Sequence, residues 1–188
     1  MTGGEARRLL LAELEAGLPG IAASPRDSGV IKLVVRRPGP GLRESVRCAE
    51  LVPGLGLAGD TWSSRRSSRT PDGSPSPDAE ITLMNARAIA LLAGPEERWS
   101  LAGDQFFVDL DLSEANLPPG TRLALGEAVL EITAAPHTGC KKFSDWFGPD
   151  SLRFVNSAAG RALRLRGVNA RIVKGGRVSA GDAVSRIV

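Results

Sequence analysis

The stretch 122–147, RLALGEAVLEITAAPHTGCKKFSDWF, changes its periodicity partway along, and that change decides the fold. Arg122–Leu125 and Ala128–Thr133 read as paired strands joined by Gly126-Glu127. Beyond Pro136 the pattern becomes helical, with Phe143, Trp146 and Phe147 at helical spacing. The connecting residues, Pro136-His137-Thr138-Gly139-Cys140-Lys141-Lys142, join a strand to a helix and hold the chain's single histidine.

Downstream, Pro149-Asp150 opens a further helix with Leu152 and Val155 on one face, and Val168–Val173 and Ala183–Val188 read as closing strands. Upstream, Val30–Arg37 and Ser45–Val52 are strands flanking the turn Pro38–Gly41. Ile81–Met84 is a short strand, and Asn85 caps a helix running through Leu92 to Gly94-Pro95. Phe106–Leu112 sets Phe106, Val108, Leu110 and Leu112 against Phe107, Asp109 and Asp111, the pattern of a half-buried strand with the aspartates in solvent. Residues 1–20 are expected to form an N-terminal helix. Thr2 and Glu5 fit a capping box, Leu9, Leu10, Leu14 and Leu18 follow at helical spacing, and Pro19-Gly20 stops it. Residues 61–79, rich in Ser, Arg, Pro and Asp, read as a mobile polar loop.

The sum is about eight short strands and two to four helices that do not alternate regularly, which argues against a doubly wound parallel sheet. The expected fold class is α+β, mainly β: a mostly antiparallel, barrel-like core with peripheral helices, occupying residues 28–188 as one domain.

Composition narrows the function. The 188 residues are 42% hydrophobic, enough for one core. No apolar run approaches the roughly 20 residues that span a bilayer, and Glu13 and Glu15 interrupt the N-terminal stretch, which makes a poor signal peptide. The cytoplasm is the default location, with no membrane association. The net charge of +3 is carried mostly by arginine, and only Trp62 interrupts the most basic stretch, so nucleic acid is not an expected partner. Cys48 and Cys140 are too few for a structural zinc site, and without a secretory signal no disulfide is expected.

Gly54, Gly56 and Gly59 satisfy G-x-G-x-x-G after a strand, but Asp60-Thr61-Trp62 follows instead of a helix. They read as a tight corner that aims Asp60 and Trp62. Cys140 is the chemical centre. A helix N-terminus, Lys141, Lys142 and His137 would all favour its thiolate, and Gly139 would let a substrate approach the backbone. Two readings of Cys140 stand, a reactive thiol and half-buried packing. Likewise His137 is either a residue that tunes the thiol or hydrogen-bonded scaffolding. Cys48, in a strand, reads as packing. Arg153, Arg161, Arg164 and Arg166 offer an anion pocket or a solvated helix face. Asp60, Asp104, Asp109 and Asp111 sit near turns or strands, and the last two make no acid–base pair.

Four segments resemble the MOSC domain, named for the C-terminal part of molybdenum cofactor sulfurases. They are Val52–Asp60, ending in Gly-Asp; Ile81–Asn85; Gly103–Leu110, with Leu117 and Gly120 beyond; and Leu125–Thr133 leading to Cys140. The likeness spans roughly residues 30–188 and is nearest to small stand-alone bacterial members. It implies a β-barrel-like fold and assigns Cys140 to the family cysteine, which carries sulfur as a persulfide or ligates molybdenum. It also implies a molybdenum-cofactor pocket, with Thr138, Gly139, Lys141, Lys142, Asp60 and Arg164 as candidate contacts and Cys140 and His137 as candidate catalytic residues. At this length no pyridoxal phosphate domain is expected, and Thr61-Trp62 replaces the histidine or arginine that many members carry after Gly-Asp.

Three functions follow from the resemblance. One is a persulfide carrier between a sulfur donor protein and a molybdoenzyme or other metal–sulfur acceptor. Another is a molybdenum-dependent oxidoreductase acting on small N-hydroxylated compounds. The third is an inactive interaction module whose basic loop at 65–69 meets an acidic partner. The sequence leaves the oligomeric state open.

Overall fold

The chain builds a ring of strands whose closing seam joins β1 (Ser28–Arg36) to β11 (Ala183–Ile187). The structure, a computed structural model, describes residues 7–68 and 70–187. The other barrel strands are β5 (Ile81–Asn85), β6 (Phe106–Asp109), β7 (Arg122–Leu125), β8 (Ala128–Ile132) and β9 (Val168–Lys174). Around the ring the order is β11-β7-β8-β9-β5-β6-β1, with β2 (Glu44–Val46) hydrogen-bonded beside β1. Only β5 and β6 pair in parallel among the described residues, because the helix α3 (Ala86–Ala93) carries the chain across between them. A second small sheet, β3 (Cys48–Val52), β4 (Gly56–Leu57) and β10 (Gly176–Ser179), packs against the barrel.

The barrel interior is apolar, with Leu83, Phe106, Leu125, Leu130 and Val184 fully buried. A second apolar layer lies outside it, where Val35, Met84 and Phe107 meet the helices. These helices are α1 (Leu11–Ala16), α2 (Leu18–Ala22), α3, α4 (Lys141–Phe147), α5 (Pro149–Asn156) and α6 (Ala158–Ala162). Phe107 is therefore as buried as Phe106. The half-buried expectation for this strand is corrected: helices cover its outer face, and Asp109 is paired there with Arg87 at 2.8 Å.

Asn85 caps α3 as expected, its Oδ1 accepting from the backbone N–H of Arg87 at 2.8 Å and Ala88 at 3.0 Å. The N-terminal helix is two short helices. Pro19 does not stop the first but sits in the first turn of α2, where its missing N–H costs nothing. The capping box at Thr2 and Glu5 lies outside the described residues, as do Arg69 and Val188. The strand expected at Ser45–Val52 breaks at Arg47 into β2 and β3, which join different sheets. Cys48, read as packing, is exposed on β3 with the guanidinium of Arg177 3.7 Å from its sulfur.

Candidate functional site

Residues 133–140 leave β8 as an extended strap and enter α4 at Cys140. Two asparagines pin it. Asn169 Nδ2, on β9, donates to the carbonyls of Ala135 at 3.1 Å and Pro136 at 3.2 Å. Asn156, at the end of α5, accepts from Gly139 N at 3.1 Å and donates back to Gly139 O at 3.3 Å. A Cβ on Gly139 would lie 2.8 Å from both Leu152 and Val155, so the glycine serves close packing on α5 and does not open the backbone to a substrate.

His137 projects from this strap onto Asp104, a carboxylate with no solvent exposure just before β6. Asp104 Oδ1 lies 2.8 Å from His137 Nε2, and Oδ2 accepts from Arg166 Nη1 at 2.6 Å. Arg166 Nη1 also lies 2.9 Å from His137 Nε2, and Arg166 Nη2 donates to Ala102 O at 2.8 Å. Burial pushes the Asp104 carboxyl up, but Arg166 and His137, through charge and hydrogen bonds together, outweigh it and hold it below the usual carboxylate range. Arg166 is itself nearly buried, and its Nε has no acceptor among the described residues. The Arg166 guanidinium stands over the Phe143 ring, 5.1 Å from the centroid.

Cys140 is exposed at the N-cap of α4, and its side chain makes no cap hydrogen bond. Lys141 and Lys142 are exposed beside it, but Lys141 turns away to pair with Asp145 at 2.9 Å. Trp146, read as part of the helix's apolar pattern, is about half exposed, whereas Phe143 and Phe147 are buried.

Behind the strap lies a cleft of about 530 Å³. Its lining includes His137 and Thr138 from the strap together with Asn156, Arg161, Arg164, Arg166 and Glu114. Arg164 has a positive φ of 49°, which a non-glycine residue adopts at a cost of about 1–2 kcal/mol. Its Nη1 donates to Leu117 O at 2.6 Å, and burial draws the guanidinium below arginine's usual value, partly offset by Glu114. Arg153 stands apart, exposed and facing Asp150.

Asp60 does not join this site. Its side chain is fully buried, paired with Arg37 at 2.7 Å, and also accepts from the backbone N–H groups of Arg37 and Trp62 at 2.9 Å. All its acceptor capacity is used inside the fold, and it does not line the cleft. Gly54, Gly56 and Gly59 all have positive φ, so the glycine corner is real, but it turns Asp60 and Trp62 inward. The structure thus gathers His137, Thr138 and Arg164 around the cleft and leaves Cys140, Lys141 and Lys142 at the adjoining helix start. No group of three or more His, Cys, Asp or Glu side chains that could hold a metal occurs among the described residues. Asn156 and Asn169 are the contributors that sequence reasoning missed; Asp104 and Arg166 were read there only as one of four carboxylates near turns or strands and one of four arginines offering an anion pocket or a solvated face. Nothing local joins Asp104 to Arg166, 62 positions apart.

A family model described as the MOSC domain matches residues 78–185, which includes the strap, Cys140 and Asp104. No curated relative matches the chain. Among solved structures, the YuaD protein of Bacillus subtilis superposes with a TM-score of 0.62 at 16% identity, covering 84% of this chain and 94% of its own. YiiM of Escherichia coli gives 0.54 at 19% identity, over 85% of this chain and 70% of that one. YiiM of Geobacillus stearothermophilus gives 0.54 at 13% identity, over 88% and 75%. At these identities the likeness concerns the fold.

Proposed function

Since this chain belongs to the MOSC domain family, we propose that it handles sulfur at Cys140, as a persulfide carrier between a donor protein and a metal–sulfur acceptor. The observation that carries the reading is the exposed thiol at the end of a strap anchored by two asparagines and a buried carboxylate. Such a thiol is open to a partner yet attached to a rigid base, as a relay between two large molecules requires.

Loading is a thiol–disulfide type exchange. The Cys140 thiolate attacks the terminal sulfur of a donor persulfide. The new bond forms between Cys140 Sγ and that sulfur as the donor's S–S bond breaks, and the donor cysteine leaves as a thiolate with the bonding electron pair. The proton that Cys140 gave up to water is matched by one the donor takes up, and no net oxidation occurs. Delivery is the same displacement with an acceptor nucleophile attacking and Cys140 leaving. His137 stands three residues before the thiol, and Lys142 supplies positive charge beside it.

A second reading, binding of a molybdenum–pterin group, is favoured by one observation: the cleft wall carries Arg161 and Arg164, and Arg166 has an unpartnered buried Nε. The chemistry of the donors fits such a group, with Arg164 and Thr138 lining the cleft and Cys140 and Lys142 outside it at the adjoining helix start. Cys140 would hold the metal as a soft thiolate, and Arg164, Thr138 and Lys142 would meet the pterin phosphate. Bound there, the group would supply two-electron redox chemistry, and the chain's part would be to hold it and to shield one face of it.

The test is persulfide labelling after treatment with a low-molecular-weight persulfide, comparing wild type, Cys140→Ala and Cys48→Ala. Label retained in Cys48→Ala and lost in Cys140→Ala supports the carrier. Label independent of Cys140 refutes it. Metal and pterin analysis of the same proteins from a cofactor-competent host separates the second reading: molybdenum near one per chain, lost with Cys140→Ala, favours it.

A further inference from the structure

We infer that Asp104 is a positioning residue, which fixes the only histidine as its Nε2–H tautomer and ties down the chain on both sides of Cys140. Its bearing on chemistry rests on Cys140 being the reactive atom, but the geometry stands without that reading.

The tautomer follows from the hydrogen-bond inventory. An ionised carboxylate only accepts, so the 2.8 Å contact between Asp104 Oδ1 and His137 Nε2 requires the proton to sit on the ring nitrogen. Arg166 only donates, and Nε2 has one in-plane position, already filled by its own hydrogen. The 2.9 Å approach of Arg166 Nη1 to Nε2 is therefore a neighbour contact imposed by their common acceptor, Asp104. In the neutral ring this leaves Nδ1 as the accepting nitrogen.

The anchoring is two-sided. Asp104 holds His137 directly, three residues before Cys140. Through Oδ2 it holds Arg166, whose guanidinium covers Phe143, three residues after Cys140. The thiol sits midway between two points referred to one buried carboxylate with no exposure. Asp60, which serves the fold, is satisfied by Arg37 and two backbone N–H groups, whereas Asp104 holds a side chain that lines the cleft.

Long-range 1H–15N spectra of the sole imidazole in alkaline buffer read the tautomer without overlap from other histidines. Wild type is expected to show Nε2–H, and Nδ1–H would overturn the inference at once. In Asp104→Asn the amide oxygen must serve Arg166, so the amide NH₂ faces His137 and the ring should switch to Nδ1–H. In a Cys48→Ala background, alkylation of Cys140 by iodoacetamide should then slow measurably, because the strap that carries the thiol loses its charged anchor. An unchanged tautomer in Asp104→Asn, or a switched tautomer with an unchanged alkylation rate, refutes the positioning role. Should Asp104→Asn fail to fold, Arg166→Gln carries the test: with Asp104 intact the ring stays Nε2–H, while loss of the Phe143 anchor slows alkylation. A tautomer that switches in Arg166→Gln, or alkylation there at the wild-type rate, overturns the inference. A protein that takes no persulfide but gives these spectra and rates loses the carrier reading and keeps the assignment of Asp104.

Discussion

The carboxylates of Asp60 and Asp104 have the same burial and opposite uses. Each carboxylate has no solvent exposure, each is paired with an arginine that is itself about nine-tenths buried, and the two arginines cap neighbouring carbonyls, Arg37 at Gly103 and Arg166 at Ala102. Asp60 closes its circle with Arg37 and two backbone N–H groups. Asp104 instead spends one oxygen on His137, a half-buried side chain that lines the cleft beside Cys140. A buried ion pair is weak evidence of stability in itself, because desolvation offsets much of the attraction. The difference lies in what else the carboxylate holds: one fastens a corner of the fold, the other fastens a reactive strap to it.

The comparison breaks most visibly if one aspartate is removed. Asp60→Ala strands a nearly buried Arg37 and is expected to cost about 3–5 kcal/mol in urea unfolding, while the folded fraction alkylates at Cys140 at the wild-type rate. A changed rate would mean the two carboxylates are not separate in function. Acid sharpens the other side. The Asp104 carboxyl is held low in the fold, so its contribution is complete above the ordinary carboxylate value of about 3.9 and fades as pH falls through its folded value. The gap in urea midpoint between wild type and Asp104→Asn should shrink on acidification below about pH 4. A gap that grew would reverse the sign of the linkage. Gly139→Ala pushes a methyl into Leu152 and Val155 and should cost about 1–3 kcal/mol while displacing the strap, so alkylation of Cys140 should change along with the melting temperature. The smallest effect is expected at Cys48→Ala, which is exposed. Stability should stay within about 0.5 kcal/mol, with one thiol lost from a dithionitrobenzoate titration.

The fold was legible where local rules act. The Asn85 cap, the β7–β8 hairpin around Gly126 and the entry to α4 after Cys140 all follow from short-range pattern. Phe107 misled because alternation reports two faces without saying what covers each, and here helices cover the outer one. The two-residue β4 escaped because it is too short to show a period. The strap itself was marked by Pro136, Gly139 and Cys140, yet its support was not. Asp104, Asn156 and Asn169 act on it from 33, 17 and 33 residues away respectively, and a single sequence has no term for that separation. Asp60 carried the opposite lesson: a polar residue after a glycine corner can be aimed inward, and burial decides its use.

The seam between β1 and β11 has a consequence for how the protein comes into being. Ser28 and Ser185, whose hydroxyls meet across it at 2.9 Å, are 157 residues apart. During synthesis, β1 emerges early and its edge toward β11 stays unpaired until almost all the strands are available. Such distant pairing is slow to form, so folding should be late and cooperative, and the nascent chain is open to edge-to-edge association for most of its production. Abundance in the cell would then depend on chaperone supply as much as on the stability of the finished barrel.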